Sequence, residues 1–132
     1  ESRVKPLKKE VEVKMQYEYN GNLLEEDRVL LVAKEIMSKY PELNFLQAQM
    51  TARLEGYISD KVTPDDKLNR LYNIMLINQN DKKLISKVYR DYTDILKSEL
   101  NQIKNYKYIT ISNMLKDYID GYTSFPFVNS IE

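Results

Sequence analysis

Cysteine, histidine and tryptophan are absent from this chain of 132 residues, and glycine (3) and proline (4) are scarce. Without cysteine there is no disulfide. A chain of this length does not need one, because it can bury roughly two-thirds of the surface its unfolded form exposes. Losing cysteine and histidine together removes the usual zinc and copper ligands, the thiol nucleophile and the commonest general base. Three isolated glycines make no phosphate-cradling loop. No apolar run approaches the ~18 residues of a membrane-spanning helix, and no basic stretch leads into an apolar one as in a signal peptide. The chain starts at Glu1, not Met, and is expected to be a processed protein or part of a longer one.

Excess charge is lacking too. Twenty basic and twenty acidic residues cancel, which argues against dominant electrostatic binding to nucleic acid or an anionic membrane. The distribution is uneven. Residues 22–66 carry five basic and nine acidic side chains, a net of −4, and residues 81–107 carry seven and four, a net of +3. What remains, 42% hydrophobic and 30% charged, is ordinary for a folded protein.

Most of the chain has helical periodicity. Asn22 with Glu25 three residues on is a capping-box arrangement. The helix that follows carries Leu30, Ala33, Ile36, Met37 and Tyr40 on one side, with Val29 and Val32 widening the face, and Pro41 ends it. Asn44 is positioned to cap a second helix reaching about Ser59, with a stripe of Leu46, Met50, Leu54, Tyr57 and Ile58. Thr63-Pro64-Asp65-Asp66 is the clearest start signal: a cap, proline at the first helical position, then acids. It opens a third helix with Leu68, Leu71, Tyr72, Met75 and Leu76. After "NQND" at 78–81 a fourth helix is expected to run to Asn105 through Leu84, Ile85, Val88, Tyr92, Ile95, Leu96 and Ile103. A last helix, NMLKDYID, stops at Gly121.

Two segments read differently. VEVKMQYEY, residues 11–19, alternates apolar and polar side chains with the two-residue period of a half-buried strand. Its mate within the chain would be YKYITIS, residues 106–112, which also alternates and is rich in β-branched and aromatic residues. This antiparallel ribbon is favoured over pairing in trans, because closing a loop of ~90 residues adds little entropy cost beyond a shorter one. The expected fold is therefore mainly α. It is a single small domain of four to five helices with one N-terminal β-strand, which the ribbon would make two-stranded. Residues 1–10 form an arm or linker, 11–122 the domain and 123–132 a tail.

No catalytic or metal site and no cofactor is expected. Asp91 with Asp94, and Asp117 with Asp120, are i,i+3 pairs suited to a hard cation. However, Lys87, Arg90 and Lys116 sit four residues before Asp91, Asp94 and Asp120, which is the spacing of ordinary helical ion pairs. Eleven tyrosines with no tryptophan favour a non-enzymatic protein-interaction module of adaptor, regulatory or structural kind, since tyrosine is enriched at interfaces. Tyr89, Tyr92, Phe125 and Phe127 are the candidate contacts, with another protein or a second copy as partner. The alternative is a nucleic-acid-associated regulator using a helix-turn-helix-like element around 78–96. There Lys82, Lys83, Lys87 and Arg90 would meet phosphates.

Overall fold

The computed structural model describes residues 25–55 and 62–127, and the chain divides into two compact units, residues 1–60 and 61–132. Five α-helices and no strand occur among the described residues. Residues 11–19, the Asn22 cap, and Tyr57 and Ile58 lie outside them.

The first unit packs two helices together, α1 (Glu25–Lys39) and α2 (Phe45–Leu54). Helix α1 stops where Pro41 cannot continue it, and its last backbone bond runs from the Tyr40 amide to the Ile36 carbonyl (2.9 Å). Its buried face is Val29, Val32, Ala33, Ile36 and Tyr40, while Leu30 and Met37 are only half-buried. Tyr40 and Leu43 are buried across the connecting turn, which the Leu43 amide closes on the Tyr40 carbonyl at 3.1 Å. Asn44 then starts α2 with a reciprocal cap. Its side chain accepts from the Gln47 amide (2.8 Å), and the Gln47 side chain accepts from the Asn44 amide (3.0 Å).

The second unit holds α3 (Pro64–Ile77), α4 (Lys82–Ser98), a 3-10 turn (Leu100–Gln102) and α5 (Lys107–Ile119). The Thr63 signal is used as its residues suggest: Thr63 Oγ1 accepts from the Asp66 amide (3.1 Å), and the Asp66 carboxylate accepts from the Thr63 amide (3.0 Å). Asp65 is left to reach elsewhere. Its two oxygens accept from the successive Lys104 and Asn105 amides, each at 2.9 Å, fastening the loop before α5 to the start of α3. Asp81 caps α4 through the Leu84 amide (3.1 Å). The core is built from Leu68, Leu71, Ile74 and Met75 on α3, Leu84, Ile85 and Val88 on α4, and Ile111 and Leu115 on α5.

Two expectations are corrected here. Helix α4 ends at Ser98 instead of reaching Asn105, and the 3-10 turn and the Asp65 clasp carry the chain onward. Residues 107–112 are the first half of α5, so the ribbon with 11–19 does not form through them. The reason is a competition of magnitudes. Ile109, Thr110 and Ile111 lose at most ~0.7 kcal/mol each in helical propensity. Burying Ile111 and Leu115 completely returns about 1.5–3 kcal/mol each. Tyr108, Ile111, Ser112 and Leu115 make one buried helical stripe, and the short alternation 106–112 conceals its beginning.

Asp65→Ala removes both clasping bonds while leaving the Thr63 cap intact. It should destabilise the protein by about 1–2 kcal/mol, since these bonds engage an ionised acceptor but lie at the surface. Chemical denaturation would read this directly, with Thr63→Ala as an independent comparison.

Candidate interaction surfaces

Helix α2 turns its small residues inward and its large ones outward. Ala48, Thr51 and Ala52 are fully buried. Leu46 (63% exposed), Met50 (44%) and Leu54 (52%) instead form an i, i+4, i+8 stripe, with Phe45 (40%) beside its start. The stripe expected from Leu46, Met50 and Leu54 is therefore present, but it faces outward. The small residues are what let the α2 backbone lie close to its neighbour. A bidentate ion pair sits near this helix: Arg53 Nη1 and Nη2 donate to Glu26 Oε2 and Oε1 at 2.9 and 3.2 Å. The guanidinium holds the Glu26 carboxyl below its usual range.

Tyr89 and Tyr92 on α4 face inward. Tyr92 is fully buried and donates to the Tyr108 carbonyl at 2.7 Å. Tyr89 is half-buried and donates to the Ser112 carbonyl at 3.1 Å. Both hydroxyls tie α4 to α5, so this face is an internal seam. Tyr92 lies in register with Ile85 and Val88, and that register was the available signal.

The basic residues of α4 are dispersed. Lys82 is exposed, but its ammonium lies 4.1 Å over the Tyr118 ring and donates to the Tyr118 carbonyl at 3.0 Å. Lys83 and Arg90 are exposed; Lys87 is half-buried and already engaged. Of the expected i,i+4 pairs, Lys116 meets Asp120 at 2.6 Å. Among the described residues no three acidic groups converge as they would around a metal.

The tail folds back. Phe125 is buried (4% exposed), with its ring centroid 5.5 Å from Tyr72 and 5.4 Å from Tyr118. The Tyr72 hydroxyl donates to the Pro126 carbonyl at 2.6 Å. Phe125 is thus a core residue and not an accessible contact, whereas Phe127 keeps 52% exposure and meets Phe125 edge-on at 6.0 Å. No family model, curated protein or solved structure matches this chain.

The buried phenols give this unit an alkaline limit. Burial, with Asp65 and Asp66 adding to it, pushes Tyr108 up to about 12. Burial likewise raises Tyr92, helped by Tyr108, Tyr72, Tyr89 and Asp65. An unfolded phenol loses its proton near 10, so the folded state binds more protons above that pH. Stability should be intact below about pH 10 and fall as pH rises toward 12. Denaturation midpoints measured across that window test this. Tyr92→Phe should also cost about 1 kcal/mol at neutral pH by withdrawing a buried donor.

Proposed function

We propose that the chain is a non-enzymatic protein-interaction module whose docking face is the outer side of α2. The observation that carries this reading is the exposed Leu46–Met50–Leu54 stripe with Phe45 beside it. A face of that spacing fits a helix laid alongside it, with one ridge entering one groove. A methionine at its centre suits adaptable packing. The described residues 25–55 of this unit carry four basic and six acidic side chains, a net of −2, so the partner fitted to this face is an amphipathic helix with an apolar stripe and a basic rim.

The nucleic-acid alternative draws less support. Lys82 is held by Tyr118, Lys87 is engaged, and Lys83 and Arg90 alone make a thin electrostatic footprint.

A photo-cross-linking side chain at position 50 should capture a basic amphipathic helix of another protein. Leu46→Glu with Met50→Glu should weaken that capture at least about tenfold while leaving the melting temperature nearly unchanged, because both side chains face solvent. Cross-links joining two copies of the chain, or capture indifferent to the double substitution, would overturn the assignment. So would a salt-sensitive shift of random duplex that Lys83→Glu abolishes.

A further inference from the structure

The α5 wall of the groove that receives Phe125 is held by bonds the tail does not make. Tyr72 of α3 forms one wall and Tyr118 of α5 the other. The Tyr118 hydroxyl is fixed by donation to the Gln79 carbonyl at 2.6 Å, and Lys82 covers its ring. Helix α5 is closed before the tail begins. Gly121, at φ +89°, permits the paired bonds from the Tyr122 amide to the Asp117 carbonyl (2.9 Å) and from the Gly121 amide to the Tyr118 carbonyl (3.0 Å). Beyond this finished helix end, Tyr122, Thr123 and Ser124 are exposed. The tail is then anchored through the Phe125 ring and the bond to the Pro126 carbonyl, with Phe127 against the edge of Phe125.

An aromatic-walled groove with a phenol donating to the carbonyl of a proline flanked by aromatic rings is a way of recognising an extended proline-containing peptide. Here the peptide is covalently attached. We propose that the groove is a docking site for a Phe-Pro-Phe segment, occupied in cis by the chain's own tail and in trans by the tail of a second copy. A second copy brings the same ring and the same carbonyl, so exchanging tails requires no new surface, and exposed residues 122–124 form the hinge. This site lies in the second unit and is independent of the α2 face. A short tether gives the attached tail an effective concentration on the order of millimolar, so exchange requires concentrated protein or a disabled cis tail.

The experiment uses the full chain and a fluorescent peptide of residues 121–127, GYTSFPF. Phe125→Ala, confirmed as folded by circular dichroism, should bind the peptide saturably and at least about tenfold more tightly than the wild-type chain, whose own tail competes. A peptide with alanine replacing the first phenylalanine should not bind. A second measurement does not depend on that variant folding. By light scattering, the wild-type chain should form dimers as its concentration rises through the millimolar range, and excess peptide should dissolve them. A folded Phe125→Ala chain that ignores the peptide, a wild-type chain monomeric throughout that range, or dimers indifferent to the peptide would each overturn the proposal.

Discussion

A phenol taken out of water must still place its hydroxyl proton on an acceptor, and the second unit is organised around that requirement. Tyr92 donates to the Tyr108 carbonyl, Tyr89 to that of Ser112, Tyr118 to that of Gln79 and Tyr72 to that of Pro126. Each bond joins a side chain on one helix to backbone on a different segment, so four tyrosines set how α3, α4, α5 and the tail sit against one another. Apolar burial supplies most of the stabilisation, but it is non-directional. The phenols add direction, because a helix shifted along its axis would carry each carbonyl away from its donor. Asp65 does the same just before α5 by accepting from two consecutive amides.

The first unit meets the same need for close packing by a different route. Helix α2 presents alanine and threonine to the interior and leaves its bulky apolar residues outside. Small residues let two backbones approach, and the area they bury is modest. The large apolar surface is therefore available for association, and this asymmetry links the packing of α2 to the function proposed for it. In the second unit the exposed large apolar residues, Val62, Leu100, Tyr106, Met114, Tyr122 and Phe127, come from different segments and form no stripe along one helix.

Capped and broken helix limits were legible, whereas the end of α4 and the start of α5 were not. Asn44, Thr63-Pro64 and Asp81 begin helices, and Pro41 and Gly121 follow their ends, because caps and breakers act through bonds within a few residues. The core stripe of α4 was legible for the same reason, since Leu84, Ile85, Val88 and Tyr92 have a single reading at helical spacing. The stretch 106–112 was not. Seven residues satisfy both a two-residue and a helical period, and only continuation to Leu115 separates them. The candidate contacts divide likewise: Tyr92 and Phe125 are buried, Tyr89 is half-buried and Phe127 remains at the surface.

The sequence by itself determined that the described chain is mainly helical, where α2, α3 and α4 begin, and which side chains can form a stripe. All three depend on spacing and on bonds to near neighbours. Only the tertiary structure decided which stripe is covered. Leu46, Met50 and Leu54 are as regular as any core pattern in the chain, yet the helix lies on Ala48 and Ala52. Phe125 looks like an exposed tail residue until Tyr72 and Tyr118 are brought together to receive it. Burial depends on what a face meets, and here the groove is built by residues about fifty positions and seven positions away in the same chain.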